Sequence, residues 1–315
     1  MKTIVTDSPA DAAAFLRAGE VVAFPTETVY GLGADAVNPL AVEKIFTAKG
    51  RPSDNPLIVH VATHAQIHDV ASFVPASARK LIDAFFPGPL TLVLPKSERI
   101  PDVVTAGLST VGVRMPRHPI CHEFLEACGR PVAAPSANRS GRPSSTTHEA
   151  VLQDLDGRIR CVLRGGRSPV GLESTVVDCT SDPVVVLRTG AVSAADLAEV
   201  VSLSHLRTSD NAVLARSPGT RHRHYAPRGR VVLVDAPPTK FAGPAAYIGL
   251  DAPSNAGTFR IAEIAPSLEA YAHEIFDFMR RCDEIGVEVI YCQRVAPQGL
   301  GAAIMDRIRR AADAG

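Results

Sequence analysis

Short apolar runs alternate along the chain with segments whose apolar positions recur three or four residues apart, which predicts strands and helices in turn. Ser8-Pro9 reads as an N-cap with proline in the first helical turn. Ala12, Phe15 and Leu16 share one face of that helix, and Gly19 stops it. Val21–Phe24 reads as a buried strand entering a loop, Pro25-Thr-Glu-Thr-Val-Tyr-Gly-Leu-Gly33. A helix from Asn38-Pro39, apolar at Val42, Ile45 and Phe46, delivers the chain to Lys49. Further strands are expected near 57–61, 90–94, 110–113, 161–163, 174–178 and 184–187. Helices are expected up to Phe86, around 119–128, from Thr146 (at capping-box spacing from Glu149) and after Ser193.

Beyond about residue 202 the periodicity fades. Arg216–Arg230 holds five arginines, two histidines and no acid, with proline and glycine that suit an extended connection. Strands at 231–234, 245–248 and 287–291, an amphipathic helix over Ser267–Glu284 and a final helix over roughly 299–313 follow. The expected class is α/β. A twisted open sheet with helices spans 1–201, a basic linker 202–230, and a smaller Rossmann-like α/β domain 231–315.

Composition changes this picture little. Lysine plus arginine equals aspartate plus glutamate, 33 against 33, so an anion site has to be a local concentration of charge. Aromatic residues make up 5% and tryptophan is absent, which disfavours a base-stacking platform. The six cysteines form no Cys-x-x-Cys pair, so no metal or redox site is expected from them, and reduced thiols fit a cytoplasmic protein. The first residues lack the apolar core of a signal peptide, and no apolar run is long enough for a membrane span.

Candidate chemistry gathers in five polar loops: Pro25–Gly33, Lys49–Asn55, Pro135–Ser144, Gly165–Thr175 and Arg188–Gly190. In α/β folds, binding sites collect beyond the carboxyl ends of strands. Pro52 and Pro56 stiffen the loop that carries Lys49, Arg51 and Asn55, and His60 follows on a short strand. That loop reads either as a solvated basic turn or as a phosphate-binding surface. Neither a nucleophile elbow nor a P-loop nor a metal-ligand cluster occurs. The available side chains are the cations Lys49, Arg51, Arg114 and Arg188, the donors Ser136, Asn138, Ser144, Ser174 and Thr175, and His60. Such a set suits phosphoryl or nucleotidyl transfer, where positioning and charge stabilisation dominate. For Glu27, the one carboxylate of its loop, the plain alternative is a helix cap. The basic linker reads equally as a tether, a nucleic-acid contact or a lid over an anionic ligand.

Several motifs together are familiar: Pro25–Gly33, Lys49-Gly-Arg51, Asp54–His60, Pro135-Ser-Ala-Asn138 and Ser168–Asp178 resemble the YrdC-type domain family. Ser217-Pro-Gly219, His224-Tyr-Ala-Pro227 and Gly299–Met305 resemble the two-domain form of that family, the threonylcarbamoyl-AMP synthases. The resemblance implies a YrdC-like sheet and a condensation of L-threonine, bicarbonate and ATP to threonylcarbamoyl-AMP and pyrophosphate. The product serves the threonylcarbamoyl modification of tRNA beside the anticodon. The family's Lys-x-Arg and Ser-x-Asn signature falls on Lys49, Arg51, Ser136 and Asn138. By resemblance, Thr28, His60, Arg114, Ala134 and Ser174 hold threonine. Lys49, Arg51, Asn55, Thr110, Ser136, Asn138, Ser144, Arg188 and Tyr225 hold ATP, and Lys49, Arg51 and Arg188 with Mg2+ offset the developing phosphate charge. Tyr225 favours the lid reading of the linker. The implied partners are the downstream transferase machinery of tRNA and a weak tRNA contact, with no membrane. Two other classes remain: an RNA-binding module, and a carbamoyltransferase using carbamoyl phosphate.

Overall fold

The computed structural model describes residues 2–204, 225–254 and 256–313. Its first sheet takes β1 (Ile4–Thr6), β2 (Val22–Phe24), β3 (Gly31–Asp35), β4 (Ile58–His60), β5 (Leu90–Pro95), β6 (Thr110–Arg114), β7 (Val132–Ala134), β8 (Cys161–Leu163), β9 (Thr175–Asp178), β10 (Val184–Arg188) and β11 (Leu203–Ser204). They lie in the order β1-β8-β2-β3-β7-β4-β6-β5-β9-β10-β11. Parallel and antiparallel neighbours mix: β4 runs parallel to β6, while β7 runs antiparallel to both β3 and β4. The helices are α1 (Pro9–Arg17), α2 (Pro39–Lys49), α3 (His64–Val70), α4 (Ala76–Phe85), α5 (Asp102–Thr105), α6 (Pro119–Cys128), α7 (His148–Leu155) and α8 (Ala194–Ala198).

Strand β2 shows how the layers form. Its neighbours alternate faces: Val22 and Phe24 join Ala12, Leu16, Phe124 and Leu125 of α1 and α6 in one cluster. Ala23 joins Ile45 of α2, Val59 and Leu92 in the other. Helices therefore cover both faces, as the buried apolar strands require.

In the first unit three expectations need correction. The Pro25–Gly33 stretch is a loop only as far as Tyr30, because Gly31 and Gly33 belong to β3. A Cβ at Gly31 would lie 2.8 Å from the Phe24 ring, and one at Gly33 2.7 Å from Val132, so these glycines make room for a crossing side chain. The α7 helix is capped by Thr147, whose hydroxyl accepts from the Ala150 amide, and not by Thr146. No helix begins at Glu27.

A second sheet follows, with β12 (Arg230–Val234), β13 (Ala245–Gly249), β14 (Ile261–Ile264) and β15 (Val289–Gln293) in the order β12-β15-β13-β14, all parallel. Strand β15 starts two residues later than its pattern suggests, and β14 was not anticipated. Helices α9 (Leu268–Glu284) and α10 (Leu300–Ala312) pack on it through Tyr271, Ile275, Phe276, Met279, Ile304 and Ile308. Val29, Val170 and Leu172 of the first unit enter this same cluster, so the two units share apolar contacts. All six cysteines are free and buried. Among the described residues, no helix is long and apolar enough to cross a membrane. Most of the expected linker, including the arginine-rich run up to His224, lies outside the described residues.

Candidate active site

The site opens along β4, between the end of β6 and the end of the antiparallel β7, beside the Thr26–Tyr30 loop. Register sets it: His60 lies opposite Arg114 across the parallel β4–β6 pair, and Ile58 opposite Ala134 across the antiparallel β4–β7 pair. Thr26 ties the loop by accepting from the amides of Thr28 and Val29 and donating to the Val29 carbonyl at 2.6 Å. Thr28 is thereby held toward Arg114, whose Nη1 donates to the Thr28 hydroxyl at 2.8 Å. Arg114 Nε donates to the Gly88 carbonyl at 3.2 Å, and Nη2 lies 2.7 Å from Glu27 Oε1. Both members of this ion pair are buried. Glu27 is thus the counter-charge of Arg114, a role its sequence position did not reveal.

His60 is almost fully enclosed, and its Nδ1 finds no hydrogen-bond partner among the described residues. Burial, helped by the Arg114 charge, pushes its pKa down to about 3, so the ring is neutral at physiological pH. A buried neutral imidazole with an open nitrogen is suited to a hydroxyl partner.

The second half of the site lies toward Arg51, Ser136, Arg188 and Tyr225. Arg51 Nη2 donates to the Asn55 and Pro56 carbonyls, both at 3.3 Å, while its Nε has no partner among the described residues. Burial pushes its pKa down to about 10, which leaves it charged at neutral pH. Arg188 donates to the carbonyl and hydroxyl of Ser174, each at 3.1 Å, and Ser174 also meets Thr91 Oγ1 at 2.8 Å. Gly190 lets the Arg188–Gly190 loop approach: a Cβ there would stand 2.4 Å from the Thr175 amide nitrogen. Tyr225 has φ of 64°, a left-handed conformation rare for a tyrosine, and its ring stacks on Phe276 of α9 at 5.1 Å.

These groups line one cleft, open to solvent on one side. Thr28, His60, Arg114, Ala134 and Ser174 all line it, with Arg51, Ser136, Arg188 and Tyr225. Lys49, Asn55, Thr110, Asn138 and Ser144 do not. Lys49 is buried with its ammonium donating to the Ser136 and Asn138 carbonyls at 2.5 Å each, and burial holds its pKa well below the usual lysine range. Asn138 accepts from the Ser136 hydroxyl and donates to the Arg139 and Arg142 carbonyls. Lys49 and Asn138 therefore shape the loop that presents Ser136. Thr110 is buried in β6, opposite Pro95. Ser144 donates to Glu173 Oε1 at 2.5 Å.

Glu173 also lines the cleft. It was overlooked because its motif reads as one more polar loop. Arg280 and Arg307, from α9 and α10, were overlooked as well. Arg280 donates to the Pro143 carbonyl, the Ser145 hydroxyl and Asp154. Arg307 donates to Glu173 Oε2 at 2.8 Å. A usable signal was present, since Arg307 falls on the apolar stripe of its helix with Ile304, Ile308 and Ala311. A charge at such a position has to find a buried partner.

The family model for Sua5, YciO and YrdC proteins, described as "telomere recombination", matches residues 14–190. A second model, the threonylcarbamoyl-AMP synthase C-terminal domain, matches residues 192–313. The chain is similar to the threonylcarbamoyl-AMP synthase of Pyrococcus abyssi, 42% identical over 95% of this chain and 92% of that protein. To the threonylcarbamoyl-AMP synthase of Bacillus subtilis this chain is also 42% identical, over 96% of this chain and 92% of that protein. In structure it is similar to P. abyssi Sua5 complexed with L-threonine, with a TM-score of 0.88 and 39% identity over 99% of this chain and 97% of that one.

Proposed function

We infer the reaction from one premise: the chain belongs to the threonylcarbamoyl-AMP synthase family. It is an enzyme that condenses L-threonine, bicarbonate or CO2, and ATP to threonylcarbamoyl-AMP and pyrophosphate. The observation that carries this reading is the meeting, in one cleft, of the five residues expected to hold threonine with Arg51, Ser136, Arg188 and Tyr225.

In the proposed sequence of events, the threonine carboxylate approaches Arg114, and its hydroxyl is read by Thr28 or His60. A site built to hydrogen-bond a hydroxyl rejects analogues that lack one. The neutral amine adds CO2, forming an N–C bond and releasing a proton to solvent. A carbamate oxygen then attacks the α-phosphorus in line, the bond to the bridging oxygen breaks, and pyrophosphate leaves. Arg51 and Arg188 offset the charge that grows on the phosphates. Lys49, in this reading, acts through the backbone it braces, and so do Asn138 and Ser144 through Ser136 and Glu173. No protein nucleophile is required.

Mg2+ enters with ATP. The two carboxylates near the cleft do not offer it a seat: Glu27 is paired with Arg114, and Glu173 with Ser144 and Arg307. Among the described residues no group of three histidine, cysteine or acidic side chains is arranged for a metal. An ion arriving with ATP would sit on phosphate oxygens and water and would supply charge neutralisation there, and no step is assigned to a protein-bound metal. The product is a mixed anhydride and needs a transferase that passes its acyl group to tRNA. A weak tRNA contact through the basic segment belongs to the same reading. Free buried thiols suit work in the cytoplasm.

The test is labelled bicarbonate with ATP, following pyrophosphate and a labelled adenylate with and without L-threonine. Release that needs all three substrates supports the synthase. Turnover independent of threonine, or driven by carbamoyl phosphate, contradicts it.

A further inference from the structure

Arg307 is fully buried, yet it belongs to α10 on the second sheet and reaches into the first unit. Its Nε donates to Glu173 Oε2 at 2.8 Å, its Nη2 to the Thr189 carbonyl at 2.9 Å and its Nη1 to Asp306 at 2.5 Å. The guanidinium also lies 5.5 Å from the centre of the Tyr225 ring. Its contacts therefore join three separate pieces of the cleft: the Glu173–Ser174 turn, the residue after Arg188, and the end of the linker.

Glu173 makes this matter for an anionic ligand. It is the acid on the cleft wall, and it stands among the groups expected to face the nucleotide. Burial works against its charge, but Arg307, Arg188 and the Ser144 hydroxyl together hold the carboxyl below its usual range, so it is ionised. A bare carboxylate there would repel a triphosphate. Arg188 is itself expected on the phosphates, and Ser144 carries no charge. The remaining cation in contact with Glu173 comes from the second unit.

We propose that Arg307 is a positioning residue for the ATP half of the site: it neutralises Glu173 and fixes Thr189 and Tyr225, so that the C-terminal unit completes the nucleotide pocket without touching the reacting atoms. The proposal rests on the synthase reading. It predicts asymmetry, because Arg307 contacts none of the five residues assigned to threonine except through Glu173's neighbour Ser174.

The experiment is calorimetric titration of the full chain with ATP and, separately, with L-threonine, for the parent, Arg307→Met, Glu173→Gln and the double variant. Arg307→Met is expected to weaken ATP binding by about tenfold, a coupling usual between neighbours in one charge network, and to change threonine binding by less than about twofold. Adding Glu173→Gln removes the repelling charge and should recover most of the lost ATP affinity. A merely structural role would weaken both ligands together, and the second substitution would not help; either result overturns the proposal. Should Arg307→Met not fold, Arg307→Lys keeps the charge but cannot bridge Glu173 and Thr189 at once. It is expected to lose about threefold for ATP selectively, and unchanged ATP affinity overturns the proposal. A parent that binds no ATP overturns the synthase reading as well. A parent that binds ATP as well as its Arg307→Met variant overturns only the role of Arg307.

Discussion

Replacing Arg114 by methionine separates stability from function at the end of the cleft proposed for threonine. In the folded protein Arg114 faces Glu27 at 2.7 Å with both side chains buried, 5% and 4% exposed. Removing the cation strands a carboxylate out of water, and breaking a buried pair in this way costs about 3–5 kcal/mol. The Thr28 hydroxyl suffers less, because Thr26 Oγ1 remains 2.9 Å away. For a unit of this size the melting temperature should fall by about 6–20 °C, at 2–4 °C for each kcal/mol. Substituting Glu27→Gln as well removes the orphaned charge and should restore stability to within about 2 kcal/mol of the parent, since the neutral pair can be accommodated. Activity should not follow stability. If Arg114 receives the threonine carboxylate, the double variant folds well and still fails to release pyrophosphate with threonine. Urea unfolding and a threonine-dependent pyrophosphate assay on the parent, both single variants and the double variant read the two effects apart. Arg114→Met within about 1 kcal/mol of the parent refutes the stability argument. A double variant with parental threonine turnover refutes the clamp.

Other parts of the account make separate predictions. Lys49→Met leaves the buried Asn138 carbonyl and the half-buried Ser136 carbonyl without their donor, at about 1–3 kcal/mol for the buried one, so urea unfolding should show a loss of at least about 1 kcal/mol. Lost activity at parental stability would mean that Lys49 meets substrate directly. Arg51→Ala should abolish adenylate formation while circular dichroism stays native, and parental turnover would remove Arg51 from the site. His60, neutral in the fold with a pKa of about 3 against an ordinary 6.5, takes up a proton on unfolding anywhere between those values. Its contribution therefore lowers stability as pH falls below about 6.5, by at most ~1.4 kcal/mol per unit, and His60→Asn should flatten that acid limb in urea titrations. Chelation of divalent ions should stop pyrophosphate release but leave threonine binding and the melting temperature unchanged, and a fall in either would point to a metal held by the protein.

Much of the layer structure was legible because the helices carry local signals. Ser8, Asn38 and Ser193 cap where their patterns place them. Strands rich in valine and leucine, such as β5 and β6, declare themselves by length and composition. Strand β3 does not, because Gly31 and Gly33 carry no apolar pattern, and what they accommodate is the Phe24 ring from another strand. The residues proposed to hold threonine come from motif resemblance, whereas the residue pattern alone goes no further than polar loops gathered at strand ends. Why those loops meet is a matter of register between β4, β6 and β7, which no single stretch encodes. Charge partners were the least visible. Glu27 and Arg114 lie far apart in the chain, as do Glu173 and Arg307, and only folding shows that each acid answers a particular arginine. Lys49 shows the converse: the cation was evident, but its use as a brace for two carbonyls was not.

Joint occupancy of the cleft is the central claim, and a crystal structure of the full chain with L-threonine and a non-hydrolysable ATP analogue measures it directly. The account predicts the threonine carboxylate at Arg114, its hydroxyl beside Thr28 or His60, and the α-phosphate next to the amine with Arg51 and Arg188 on the phosphates. A nucleotide seated elsewhere, or the amine turned away from the α-phosphate with Arg114 uncontacted, would contradict it.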